Sequence, residues 1–194
     1  MKKFKLIILA CMLFAQGAAY AIGIDLGLEF GVSNSNFKLV DDKSAIENEV
    51  GYGVGISAKV DLPLIDLGPE LWYTRNTLMI EDTKYFGEEA KIKCHSIDLP
   101  LIVSLGIFGP VKIEGGPSIS LFSKAKAEYG DQSYDMGRFK PEMGYVVGAK
   151  VTVLGILMVS ARYNGCLSKS SVDFMGTSYD MRTSSYTISV GAMF

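Results

Sequence analysis

The sequence predicts an all-β fold: a transmembrane, eight-stranded antiparallel β-barrel of up-and-down order. Three observations predict it. Apolar and polar residues alternate with period two along almost the whole chain. The connections alternate between short turns and long polar segments, around an even number of strands. Finally, one face of the strands is Leu, Ile, Val, Ala and aromatic, while the other is Gly, Ser and charge. A soluble barrel or sandwich places its apolar side chains inside, and glycine and charge are too small and too polar to make such a core. An apolar face turned outward into lipid accommodates both.

The first strand sets Ile22, Ile24, Leu26, Leu28, Phe30 and Val32 against Gly23, Asp25, Gly27, Glu29, Gly31 and Ser33. The second sets Tyr52, Val54, Ile56, Ala58 and Val60 against Gly51, Gly53, Gly55, Ser57 and Lys59. The third, about Leu67 to Met79, keeps phase through Leu71 and Tyr73, with Glu70 on the opposite face. The fourth, about Ile92 to Leu105, does so through Ile97, Leu99, Leu101 and Val103, opposite Asp98. Val111, Ile113, Ile119 and Leu121 mark the fifth strand against Lys112, Glu114, Ser118 and Ser120. The sixth sets Met143, Tyr145, Val147, Ala149 and Val151 against Glu142, Gly144, Gly148 and Lys150. In the seventh, Leu157, Val159, Ala161 and Tyr163 oppose Ser160, Arg162 and Asn164. The eighth runs Tyr186, Ile188, Val190, Ala192, Phe194 against Thr187, Ser189 and Gly191.

Short connections fall at Leu62-Pro63-Leu64, Phe108-Gly109-Pro110 and Leu154-Gly155. Long polar ones fall near Ser33–Glu49, Ile80–Lys91, Lys124–Gly137 and Gly165–Met181. The terminal aromatic Phe194 reads as the last lipid-facing residue of the closing strand, at the periplasmic girdle, and as the address read by the barrel-assembly machinery. Tyr52, Tyr73, Tyr163 and Tyr186 read as the girdle at the loop ends.

At the N-terminus, Met1-Lys2-Lys3-Phe4-Lys5 precedes an apolar run from Leu6 to Phe14 and the small residues of Ala19-Tyr20-Ala21. This is the layout of a secretory signal peptide over residues 1–21, too short in its apolar run to span a bilayer. Cys11 lies inside that run with the cleavage site still to come, so it is not read as a lipidation site. Cleavage removes three lysines and no acid, so 19 basic residues become 16 against 21 acidic ones, a net charge of −5. No basic tract suggests nucleic acid. Hydrophobic residues make up 48% of the chain. Yet no mature segment is apolar for long enough to form a membrane-spanning helix, so strands must do the crossing. The expected location is the cell outer membrane, with outer-membrane lipid, the assembly machinery and an envelope or extracellular protein as partners.

The mature chain keeps Cys94 and Cys166, near the loop ends of strands four and seven. Those strands are not neighbours, and a disulfide tolerates a Cα separation of roughly 7 Å at most, so free thiols are expected. Their spacing resembles no metal site, and no cofactor is expected. His95 is the only histidine and is followed directly by Ser96. Adjacent strand residues face opposite sides, so the two cannot form a local nucleophile–base dyad. His95 is read as interfacial and the chain as a non-enzyme.

Parity turns Asp25, Glu29, Glu70, Asp98, Glu114 and Glu142 inward, with Lys59, Lys112, Lys150 and Arg162. An eight-stranded barrel is just wide enough to be filled by its own side chains. An ion-pair network plugging the lumen is one reading of these charges, and a proton path or narrow pore is the other. Glu29 and Glu70 resemble a glycosidase pair only in type, since nothing places a sugar between them.

Four prolines, Pro69, Pro100, Pro117 and Pro141, interrupt the strands. Two of them lie in "SIDLPLIVSLGIFGPVKIEGGPSISLF", Ser96 to Phe122, which resembles the central hairpin of the PorT-like outer-membrane β-barrel family of Bacteroidetes. In that hairpin an apolar-Pro-apolar strand (Leu99-Pro100-Leu101) precedes a Gly-Gly-Pro strand (Gly115-Gly116-Pro117). "PELWYT", Pro69 to Thr74, and "SARYNGCLSKSS", Ser160 to Ser171, are similar to the family's third and seventh strands, with Cys166 near an expected small residue. The resemblance implies an outer-membrane barrel and, from one member, a part in gliding-associated secretion. It carries no catalytic residues. Three roles follow as expectations: a structural or interaction barrel acting through its loops, an accessory of a secretion or transport assembly, or a narrow channel.

Overall fold

The computed structural model describes residues 24–39, 46–48, 50–62, 65–80, 90–129, 132–138, 143–168, 170–174 and 177–194. Eight long strands form the wall: β1 (Ile24–Leu39), β2 (Val50–Asp61), β3 (Ile65–Ile80), β4 (Ala90–Phe108), β5 (Val111–Tyr129), β6 (Met143–Val153), β7 (Leu157–Cys166) and β8 (Thr177–Met193). Each pairs antiparallel with its neighbours in sequence, and β1 pairs with β8 from Gly27↔Met193 to Leu39↔Met181. Closure leaves no sheet edge, and every strand finds its ladder partners inside the barrel. At the seam Leu26 and Phe194 exchange both backbone hydrogen bonds, each 2.9 Å.

The turns at one end are tight. Leu62 and Ile65 exchange backbone bonds of 3.0 and 3.3 Å. Leu154 and Gly155 both take positive φ, 55° and 71°, the twist that a two-residue hairpin needs. Gly109 supplies the same at φ 52° in the β4–β5 turn. Phe108 and Leu154 stand fully out from these turns, 81% and 86% exposed, as residues placed at a bilayer interface do.

The other end differs from the loops that polarity suggests. β1 continues to Leu39, six residues into the expected Ser33–Glu49 connection. Within Lys124–Gly137, β5 runs on to Tyr129 and a returning strand, Gln132–Arg138, pairs with it. Within Gly165–Met181, Ser170–Phe174 pairs with the first residues of β8, and Ile46–Asn48 pairs with the end of β3. The ladder therefore outruns the apolar band. Beyond lipid the outward face meets water, so polar residues there report depth and not the end of a strand. Most of the Ile80–Lys91 connection, the signal peptide 1–21, Pro141 and Glu142 lie outside the described residues.

The exterior is apolar: Phe30, Ile56, Ile188 and Val190 are each more than half exposed. The prolines coincide with missing rungs in the ladder, across which the register is kept. Pairing of β3 with β4 skips from Pro69↔Leu101 to Trp72↔Asp98. Pairing of β4 with β5 skips from Pro100↔Ser118 to Val103↔Gly115. Proline has no N–H to give, so the ladder must open beside it. A bulge at Ile97/Asp98 inserts Leu121 as an extra residue in β5. It reverses the facing of all that follows, so that Phe122 and Lys124 point outward and Ala125 is buried.

Candidate functional site

Six charged side chains from six strands meet in the lumen, all within 5% exposure: Glu29, Lys59, Glu70, Glu114, Lys150 and Arg162. Arg162 on β7 is the hub. Its Nη1 donates to Glu70 Oε2 at 2.5 Å, and its Nη2 donates to Glu70 Oε1 at 3.1 Å and to Glu29 Oε1 at 3.4 Å. Its Nε donates to Glu114 Oε1 in a very short bond. A guanidinium suits this place because its planar fork offers separate N–H groups to several carboxylates at once. Lys59 Nζ sits 2.8 Å from Glu70 Oε1, at an angle that makes the contact an ion pair and not an aligned hydrogen bond. Lys150 Nζ lies 3.2 Å from Glu29 Oε1 and 3.5 Å from Glu114 Oε2. Three carboxylates face three cations, so the cluster is electroneutral. Ser160 and Ser189 hold the second oxygen of Glu29 with bonds of 3.2 and 2.7 Å.

Glycine makes room for this crossing of the lumen. Arg162 reaches Glu114 over Gly148, which stands between them in the ladder. A Cβ on Gly148 would fall 2.9 Å from Arg162 Cγ. Gly55 is register-opposite Trp72, and a Cβ there would fall 2.5 Å from Trp72 Cε2.

The other sequence-derived charges stand apart from the hub. Lys112 is paired with Asp66 at 2.6 Å, toward the tight turns. Asp98, which parity also turns inward, accepts from Ser96 Oγ at 2.9 Å. Asp25 is half-buried and register-opposite Lys59.

Sequence parity overlooked several inward residues, Trp72 and Asp66 above all. Trp72 is buried inside, donates Nε1–H to Glu70 at 2.8 Å, and lies under the Arg162 guanidinium at 5.4 Å. It shares a face with Glu70 two residues earlier, so the phase was legible. A large aromatic in a membrane barrel invites assignment to lipid, and the expected inner face of Gly, Ser and charge left no place for it. Ile102, Val146 and Met158 are buried inside as well, so the lumen carries apolar contacts between its charges. Asp66 was missed because the third strand starts at Ile65, before the expected Leu67.

On the outside, Tyr52, Tyr73 and Tyr186 are exposed and Tyr163 partly so. Tyr163 packs at a tilt against Tyr145 and Tyr186, with ring centroids 6.0 and 5.0 Å apart and interplanar angles of 53° and 52°. His95 faces outward with Tyr73, whose hydroxyl lies 2.7 Å from Nδ1, while Ser96 faces the other way toward Asp98. Cys94 and Cys166 are free. Among the described residues no group of His, Cys, Asp and Glu is arranged to hold a metal ion.

A closed antiparallel barrel with a lipid-like exterior and a charged, packed interior defines a small transmembrane β-barrel protein. The chain belongs to the outer membrane protein beta-barrel domain family, whose model matches residues 6–194. Its fold is similar to that of Neisserial surface protein A, with a TM-score of 0.59 at 16% identity over 89% of this chain and 97% of that one. It is also similar to Ail, the attachment invasion locus protein of Yersinia pestis, with a TM-score of 0.57 at 16% identity over 88% and 98%. OprG from Pseudomonas aeruginosa gives a TM-score of 0.54 at 12% identity over 89% and 96%. At these identities the likeness is one of fold. No curated protein matches the chain significantly in sequence.

Proposed function

We propose that this is a non-conducting, non-enzymatic outer-membrane barrel that acts as an interaction scaffold, its lumen sealed by the Arg162 cluster and its hairpins presented to an envelope or extracellular protein. The observation that carries the reading is the electroneutral set of six buried charges, each within ion-pair distance of an opposite charge, in a barrel whose eight strands leave an interior just wide enough for side chains to fill. A conducting pore needs a continuous hydrated path, and ion pairs locked across the lumen oppose one. The test is planar-bilayer recording of the refolded protein. The expected result is membrane insertion without steady conductance, and large, stable single-channel openings would refute it.

A second reading, accessory to a secretion assembly, is favoured by the PorT-like stretches Ser96–Phe122 and Ser160–Ser171. Deletion of the gene should then leave exported cargo in the periplasm. Unaltered export would leave the scaffold reading alone.

A further inference from the structure

Three cross-strand rows on the outward face of β2–β5 grade from apolar to cationic over a short height. The lowest joins Val54, Tyr73, Ile97 and Phe122. The next, two residues toward the hairpins, joins Tyr52, Arg75, His95 and Lys124. The third joins Thr77, Lys93 and Lys126. At about 3.3 Å per residue, adjacent rows are roughly 7 Å apart along the strand. The middle row is tied together: Arg75 Nη1 donates to the Tyr52 hydroxyl at 2.9 Å, with its guanidinium 5.8 Å from that ring. His95 is held by Tyr73 from the row below and feels the charges of Arg75, Lys93 and Lys126. Acidic positions border the patch by register: Asp135 opposite Lys126 on the returning hairpin strand, and one row higher Glu128 opposite Lys91 and Glu47 opposite Met79.

This arrangement contrasts with β6–β8, where the outward Tyr145, Tyr163 and Tyr186 pack against one another at tilted angles. It depends on the β5 bulge, since the inserted Leu121 is what turns Lys124 and Lys126 outward beside His95 and Lys93.

From this we propose that the Arg75–Lys93–Lys124–Lys126 face binds the phosphate of an anionic glycolipid headgroup in the outer leaflet. The inference rests on the outer-membrane placement above. A lipid standing against the wall buries its chains along the Tyr73 row and presents its phosphate one or two rows higher, where the cations stand. Charge complementarity selects an anion, and continuity with the apolar rows selects one that carries acyl chains. A soluble anion would gain nothing from the lower rows.

The test uses the folded mature protein in neutral detergent and native mass spectrometry with three probes. These are diphosphoryl lipid A, its fully dephosphorylated form, and an acyl-free glucosamine bisphosphate. The phosphorylated lipid is expected to bind at least about tenfold more tightly than the dephosphorylated one. The combined Lys93→Gln, Lys124→Gln, Lys126→Gln variant should remove that difference while keeping the heat-modifiable mobility of a folded barrel. Equal binding of the two lipids by the parent protein overturns the proposal, whether or not the variant folds. Undiminished preference in a folded variant also overturns it. Competition by the acyl-free bisphosphate as strong as by the lipid would assign the site to a soluble anion and overturn the lipid assignment. Failure of the outer-membrane placement itself would be seen separately, as absence of the protein from the outer-membrane fraction.

Discussion

Replacing Arg162 by alanine tests the lumen cluster most directly. The side chain donates to three carboxylates, Glu29, Glu70 and Glu114, all within 5% exposure. Without it three carboxylates face only Lys59 and Lys150, leaving one negative charge in excess in a confined lumen. Removing one partner from a buried ion-pair set costs about 3–5 kcal/mol, less where water enters the vacated space. With a urea dependence of about 2 kcal/mol/M, that lowers the unfolding midpoint by about 1.5–2.5 M. Trp72 is the only tryptophan in the chain and lies 5.4 Å under the guanidinium, so its emission reports on the cluster itself. The assay is urea unfolding in lipid vesicles followed by Trp72 fluorescence, checked by gel mobility of the unheated protein. Arg162→Lys should fall between, since one ammonium cannot serve three carboxylates in a fixed fork. Val159→Ala, three residues earlier and outward, should stay within about 0.5 kcal/mol. An Arg162→Ala midpoint within about 0.3 M of the parent protein, or equal loss in Val159→Ala, would refute the reasoning.

Gly55→Val should destabilise by about 1–3 kcal/mol through overpacking against Trp72 and shift its emission, and an unchanged spectrum and midpoint would contradict the close approach seen there. Phe194→Ala should lower the amount of folded, heat-modifiable barrel in the outer membrane several-fold, because Phe194 caps the seam with Leu26 and faces lipid; unchanged levels would count against it. Thiol titration of the unreduced, denatured mature protein should give two reactive groups, from Cys94 and Cys166, whereas none would mean a disulfide and a wrong strand order.

Parity made most of this molecule legible. Glu29, Lys59, Glu70, Glu114, Lys150 and Arg162 come to the lumen from six strands far apart in sequence, and a period-two count is enough to send each of them inward. Which of them meet is a matter of stagger and tilt, and the count is blind to both. That is why Asp98, turned inward by the same count, stands with Ser96 and outside the Arg162 cluster. The bulge shows the limit in another way. One extra residue in β5 reverses every later facing, and nothing in Ser-Leu-Phe-Ser marks Leu121 as the extra one. The hairpins beyond the membrane are hidden from the sequence because their polarity is that of a loop. In a barrel that stands above the bilayer, polarity marks the height at which lipid gives way to water.

The charged cluster also bears on why the strands settle into one register. A buried ion-pair set adds little net stability, because the desolvation of six charges offsets their mutual attraction. Its leverage lies in what a slip would do. A one-residue shift of β7 would turn Arg162 to lipid, at about 2–4 kcal/mol near the midplane, and strand the carboxylates it served. The same holds for Lys59 on β2 and Lys150 on β6, so three strands are each pinned by one cation, to Glu29 on β1, Glu70 on β3 and Glu114 on β5. An apolar lumen of equal volume would pack as well, but it would make both faces of every strand alike and remove the difference that forbids the slip. On this argument the electroneutral cluster serves the uniqueness of the barrel.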